Sequence, residues 1–228
     1  MAVLYSRRFV ETEEHRSLLL DLGGRTRLVY VTDRLLDSIS EVEAHQGVLA
    51  VIQVTVPEVA TWDAMCRSDA VVVADGVQDP GNLGTLIRSA AASGAGGLGC
   101  TRGTVDLLNP KVLRASAGAL FRLPVFQVAE SAWQERDTQR SVYVATAHGG
   151  EAYDRVDWTR PFVLCLGNEA RGVETVIPEA IPVRIPMRPG VESLNVAMAG
   201  TVLLFHVAQV RRRAGMAPWD QLDSDTTR

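Results

Sequence analysis

Apolar residues in this chain alternate between short unbroken runs and stretches where they recur every three or four positions. The runs at 70–75, 97–100, 122–128, 142–147, 162–167 and 183–187 predict strands, the longest of them buried on both faces. Helically spaced stretches lie near 80–93, 109–119, 130–138 and 194–213. Strands alternating with helices predict an α/β domain built on a parallel sheet covered on both sides. Residues 1–57 read as a separate small α/β unit, with strands at 27–32 and 47–55 around a helix at 33–43. Residues 58–69, with Pro57 just before them, read as a linker into a main domain at 70–213, and 214–228 as a loose polar tail.

The 194–213 helix is apolar nearly all round: Val196, Met198, Val202, Leu203, Leu204, Phe205, Val207 and Val210. A helix without a polar face is buried on both sides. One side covers the sheet. The other faces either the same chain or a partner.

Composition narrows the class of protein. The chain has 228 residues, 46% hydrophobic and 22% charged, an ordinary globular balance. No apolar stretch reaches membrane-spanning length, and residues 1–8 contain no secretory apolar core, so no membrane partner is expected. Cys66, Cys100 and Cys165 are dispersed and form no CxxC pair, which fits a reduced, cytoplasmic compartment. Cys165, inside a buried run, reads as a small core residue. His15, His45, His148 and His206 show no ligand spacing, so no metal is expected.

The net charge of −4 argues against a global positive field for nucleic acid. Local basic groups remain: Arg102, Lys111, Arg114 and Arg122, and further on Arg184 and Arg188. Each is either solvated surface or a phosphate contact. One glycine motif is a decoy. Gly94-Ala95-Gly96-Gly97-Leu98-Gly99 fits the dinucleotide fingerprint, but it follows a helix and leads into a strand, the reverse of the required order.

The most informative stretch is Asp75-Gly76-Val77-Gln78-Asp79-Pro80-Gly81-Asn82-Leu83-Gly84-Thr85-Leu86-Ile87-Arg88. Asp79 suits an N-cap and Pro80 the first helical turn. Leu83, Leu86, Ile87 and Ala90 line a core face. Gly81, Gly84, Thr85, Arg88 and Ala92 fall opposite, as a shelf of small residues where an anion can lie near the Arg88 guanidinium. Alone, such an arginine is usually a solvated charge.

Two later segments change that balance. Residues 162–166 end in Gly167-Asn168-Glu169-Ala170-Arg171-Gly172, and 183–187 end in a loop running to Ser193-Leu194-Asn195-Val196. Open α/β sheets bind ligands at the carboxyl ends of their strands, and three such loops predict a site.

Together these segments closely resemble the three signature motifs of the SpoU (TrmH-like) class of the SPOUT RNA 2′-O-ribose methyltransferases. The first is carried by Asp79-Pro80, Asn82, Gly84 and Arg88, the second by Gly167-Asn168-Glu169 and Gly172. The third is carried by Ile185-Pro186-Met187 and Ser193-Leu194-Asn195-Val196. Residues 109–119 also look like the family, and the match spans about 70–212. After the third motif this chain has Ala197 where the family often has serine.

The resemblance implies a knotted parallel-sheet domain behind a short N-terminal substrate-recognition domain that resembles a ribosomal protein. It implies a homodimer and S-adenosyl-L-methionine as methyl donor. By position in the motifs, Arg88, Asn82, Glu169 and Asn195 are the implied catalytic residues. The donor contacts fall on Thr146, Ala147, Leu166, Gly167, Ile185, Met187, Ser193, Leu194 and Asn195. Ser193 also reads as a helix N-cap, and Glu169 is expected to hold its loop by accepting backbone donors. Lys111 and Arg114 are the implied RNA contacts. Ribosomal RNA of the 23S type is the first expectation for the substrate and transfer RNA the second. A non-catalytic RNA-binding protein that kept the fold is the alternative, and a small-molecule methyltransferase would leave Lys111 and Arg114 without a purpose.

Overall fold

A computed structural model describes residues 1–40, 42, 44–133 and 140–216; of the helix expected at 130–138 it shows a 3-10 turn at Glu130–Trp133, and the rest of that stretch and most of the 214–228 tail lie outside the described residues. The chain divides into two compact units, Met1–Thr55 and Val56–Arg228.

In the first unit β1 (Ala2–Tyr5) is the centre of a three-stranded sheet. It pairs in parallel with β2 (Arg27–Tyr30) and antiparallel with β3 (Val48–Val51). Helix α1 (Glu13–Leu22) is capped by Thr12, whose hydroxyl accepts from the His15 N–H, and Glu13 and Glu14 sit in its first turn. Acids there complement the positive end of the helix dipole. Thr32 caps α2 (Asp33–Ile39) in the same way.

The second unit carries an eight-stranded sheet in which every pairing is parallel. Residues 58–69 are part of it rather than a free connection. β4 (Glu58–Val59) pairs with Gln127 and Val128, and α3 (Trp62–Met65) buries Trp62 and Met65 to 2% exposure. The remaining strands are β5 (Ala70–Asp75), β6 (Gly97–Cys100), β7 (Val125–Val128), β8 (Ser141–Thr146), β9 (Glu151–Ala152), β10 (Phe162–Gly167) and β11 (Ile181–Arg184). Their order is β4-β7-β6-β5-β10-β8-β11-β9.

Side chains alternate across this sheet with the period of a strand. Val72, Ala74, Leu164 and Leu166 face one core with Leu83, Leu86, Ile87, Leu203 and Leu204. Val71, Val73, Val163 and Cys165 face the other with Trp62, Met65, Phe126 and Trp133. The central strands are therefore buried on both sides, as their unbroken apolar runs require.

Helices α4 (Pro80–Ala92), α5 (Pro110–Ala115) and α6 (Val196–Arg213) pack on the first of these faces. The small-residue shelf on α4 is narrower than the helical wheel suggests. Gly84 is buried because α5 crosses there: a Cβ on Gly84 would meet the Ala115 Cβ and lie 2.9 Å from the Val112 carbonyl oxygen. Only Gly81, Arg88 and Ala92 remain exposed on that side, with Thr85 half-buried. Gly84→Ala is expected to lower stability by about 1–3 kcal/mol, since overpacking a helix crossing forces backbone shifts. The midpoint of urea unfolding checks it.

The glycine decoy resolves as a helix end. Gly94 takes φ 75°, its N–H and that of Ala95 return to the carbonyls of Ala91 and Ala90, and the chain continues into β6.

Candidate functional site

β5, β10, β8 and β11 are consecutive neighbours in the sheet and run in one direction, so their carboxyl-end loops emerge side by side. The order of strands reverses here, with β6 and β7 on one side and the later strands on the other. A crevice is expected at such a switch point.

A cavity of about 610 Å³ opens at that edge. Thr146 and Ala147 line it from the end of β8, Leu166 and Gly167 from the end of β10. Ile185, Met187, Ser193 and Leu194 line it from the segment between β11 and α6. Asn195 is not among the lining residues. It caps α6, its side-chain oxygen accepting from the N–H groups of Ala197 and Met198 at 3.0 and 3.2 Å. Ser193, read as a possible cap, therefore stays in the loop. His148, a loop histidine by its place after β8, and Glu192 also line the cavity; hydrophobic periodicity marks neither.

The glycine at the end of β10 is there for close approach. A Cβ on Gly167 would collide with the backbone of Gly172 and Val173, where the second loop folds back on itself. That fold is held by paired backbone hydrogen bonds between Asn168 and Gly172, 2.9 and 2.8 Å. Gly172 takes φ 71°, a conformation open to glycine at little strain.

The loop's inner donors do not go to Glu169, as its sequence position suggests. Asn168 takes them: its Oδ1 accepts from the Ala170 and Arg171 N–H groups, and its Nδ2 donates to the Gly76 carbonyl. Asn168 is buried and points into the loop, whereas Glu169 is exposed and points out of it.

Glu169 instead joins the three motifs. Asn82 donates from Nδ2 to the Glu169 Oε1 at 2.6 Å and accepts at Oδ1 from the Asn195 Nδ2 at 2.9 Å. The first turn of α4 presents Asn82 because the Asp79 carboxylate caps its N–H at 2.7 Å, with Pro80 at the helix start. An amide suits the middle of such a chain, being donor on one side and acceptor on the other. Glu169 lies both in this chain and on the cavity wall.

Arg88 stands apart. It is exposed, further along α4 than Asn82, and is not among the cavity-lining residues. Its neighbour Ser89 is buried and hydrogen-bonded at 2.7 Å to the Thr201 hydroxyl, which ties α4 to α6. Lys111 and Arg114 are exposed on α5, the helix that crosses α4 at Gly84. Among the described residues, no three His, Cys, Asp or Glu side chains lie together as metal ligands would. No described helix is long and apolar enough to cross a membrane.

The sequence profile of the SpoU rRNA methylase family matches residues 69–205. The 23S rRNA (guanosine(2553)-2′-O)-methyltransferase RlmP of Bacillus subtilis is 30% identical over 191 residues, covering 82% of this chain and 75% of the relative. A 23S rRNA (guanosine-2′-O-)-methyltransferase RlmB of Xylella fastidiosa is 34% identical over 221 residues, covering 89% and 87%. Among solved structures, the SpoU methyltransferase AviRb of Streptomyces viridochromogenes, in complex with AdoMet, matches with a TM-score of 0.75 at 29% identity. That match covers 93% of this chain and 83% of the other. An AdoMet-bound rRNA methyltransferase from Sinorhizobium meliloti matches with a TM-score of 0.76 at 26% identity, covering 93% and 79%.

Proposed function

We propose, from the premise that this chain belongs to the SpoU rRNA methylase family, that it methylates a ribose 2′-hydroxyl of RNA with S-adenosyl-L-methionine as donor. The observation that carries this reading is the Glu169–Asn82–Asn195 chain, which joins three separate sequence motifs beside one cavity.

The cavity suits the donor. Its walls mix apolar residues (Leu166, Ile185, Met187) with Thr146 and Ser193, and Gly167 lines it at a position where a Cβ would strike the backbone of Gly172 and Val173. Thr146, Ala147, Leu166, Gly167, Ile185, Met187, Ser193 and Leu194 would hold it. Bound there, it supplies an electrophilic methyl group already activated by a sulfonium charge.

The protein's own task is to align the hydroxyl and ease loss of its proton. Arg88 is the candidate for that work. A guanidinium keeps its charge in a protein and is a poor ordinary base. It can pair with the target phosphate and stabilise negative charge on the 2′-oxygen as the proton departs. Asn82, held by Glu169 and Asn195, fixes the start of the helix that carries Arg88. Lys111 and Arg114 are assigned to RNA phosphates. The knotted path, the cytoplasmic location and the recognition role of residues 1–57 belong to the same proposal. Ribosomal RNA is the first choice of substrate, by likeness to relatives named for 23S rRNA, and transfer RNA the second. Calorimetry with S-adenosyl-L-methionine in the presence of chelator tests the donor site. One-site binding is expected, and its absence would refute the reading.

Homodimerisation is part of the proposal. Met198, Val202 and Phe205 form one stripe on α6, exposed by 56%, 41% and 47%. Their spacing places them opposite the buried Leu203, Leu204 and Val207. Exposed apolar stripes of this kind mark interfaces, and a two-fold dimer is the commonest closed arrangement. Val202→Glu combined with Phe205→Glu is expected to give a folded monomer of low activity. Sedimentation at micromolar concentration checks it, and a monomeric unmodified protein would end the dimer claim.

A further inference from the structure

Asp75 is the only charged side chain buried among the described residues, at 4% exposure. It stands at the end of β5, directly across from Gly167 in the register of β10. Its Oδ2 accepts from the N–H groups of Glu174 and Thr175 at 2.6 and 3.0 Å. Its Oδ1 accepts from the hydroxyls of Thr101 and Thr175, both at 2.5 Å. Burial pushes its carboxyl up, but hydrogen bonds from Thr101, Thr175 and the backbone of Thr175 and Glu174 outweigh this and hold it below the ordinary value of 3.8. The group is thus ionised at neutral pH, its charge met by N–H and O–H dipoles.

Three of those four donors belong to one short segment, Glu174 and Thr175. The residue after Asp75 holds the opposite limb of the same loop, because the Gly76 carbonyl accepts from the Asn168 side chain at 3.0 Å. Two successive residues of the first strand end therefore grip the second loop at both ends. Between the grips lie Glu169, which reaches Asn82, and Gly172 and Val173, which wall the cavity against Gly167.

We infer that Asp75 is a positioning residue for methyl transfer: it clamps Glu174 and Thr175 so that the second loop keeps the shape that binds the donor. The inference rests on reading the cavity as the S-adenosyl-L-methionine site. The carboxylate's two oxygens accept from all four donors, and an amide of the same length still accepts from the two backbone N–H groups if the hydroxyls turn to accept from it. Without the clamp, two backbone N–H groups lose their acceptor, and the 172–175 limb is free to leave the cavity wall. The loop then spends part of its time in shapes that do not bind, and apparent affinity falls by the fraction lost.

The test compares Asp75→Ala, Asp75→Asn and Thr175→Val in the full chain. Asp75→Ala is expected to weaken S-adenosyl-L-methionine binding by about 10- to 100-fold in calorimetry, the scale of a displaced positioning group. RNA affinity, read by fluorescence anisotropy, should stay unchanged. Asp75→Asn is expected to recover most of the donor affinity. Its amide oxygen still accepts from the two N–H groups, while the threonine hydroxyls turn to accept from its NH₂. Thr175→Val, which keeps the backbone bonds, should weaken binding only a few-fold, about the effect of one lost hydrogen bond. It keeps the test available if Asp75→Ala does not fold. Amide exchange in the cofactor-free protein reads the clamp independently of the donor. Glu174 and Thr175 should exchange at least about tenfold faster in Asp75→Ala, with the strand amides unchanged. Faster exchange in a protein that never binds the donor would refute the donor site, not the clamp. Unaltered exchange, or equal donor affinity in Asp75→Ala and the unmodified protein, overturns the inference. So does an Asp75→Asn variant as defective as Asp75→Ala.

Discussion

Replacing Arg88 by alanine is expected to slow methyl transfer by about a thousandfold, the scale of removing a preorganised charge from a developing oxyanion. Donor affinity should be nearly unchanged, because Arg88 is exposed on α4 and is not among the residues lining the cavity. The helix should also remain, since its core face is Leu83, Leu86, Ile87 and Ala90, all fully buried. Arg88→Lys should recover little: a compact ammonium cannot present the planar fork that pairs with phosphate. Single-turnover kinetics with saturating donor separate the effect on chemistry from any effect on binding. Full turnover by Arg88→Ala would transfer the catalytic role elsewhere, with the Glu169–Asn82–Asn195 chain as the remaining candidate.

The second large effect is at Gly167. A methyl group there lands on the backbone of Gly172 and Val173, with no flexible side chain to yield. Gly167→Ala is therefore expected to force the second loop outward and to weaken S-adenosyl-L-methionine binding by about a hundredfold or more, as displacement by about an ångström can. Gly172→Ala is the matched control. Nothing lies within 4 Å of its Cβ position, so the change acts only through φ 71°. It should cost about 1–2 kcal/mol of conformational strain and lower affinity less. Calorimetry beside thermal unfolding compares the two, and equal effects would show that loop strain, not space at Gly167, controls the site.

How far the sequence reaches is clearest where strands are concerned. Residues 70–74 and 162–166 are uninterrupted apolar runs because both faces of β5 and β10 are covered, and that double burial is what makes them legible. The short elements in 58–69 were not legible. A two-residue strand and a four-residue helix carry too little periodicity to stand out from a connection. Gly84 shows a different limit. A helical wheel tells which residues share a face but not what covers it, so a crossing point of α5 looked like open shelf.

In the site, the residue types of the motifs were readable and their pairings were not. Asn168 and Glu169 are adjacent, and only the folded loop decides that the first binds its own backbone while the second reaches 87 positions back to Asn82. Asp75 was hidden for the same reason. It ends a strand as an ordinary acid would, and its donors lie 26, 99 and 100 positions away. Periodicity reports the neighbours a residue faces across an element; it carries nothing about partners brought in by loops.

The most direct test of the function is to incubate the purified protein with methyl-labelled S-adenosyl-L-methionine and ribosomal RNA from cells that lack it, then digest and identify the labelled nucleoside. The account predicts label on a ribose 2′-oxygen, absent with Arg88→Ala. Label on a base, or none on ribosomal or transfer RNA from a protein that binds both donor and RNA, would contradict it.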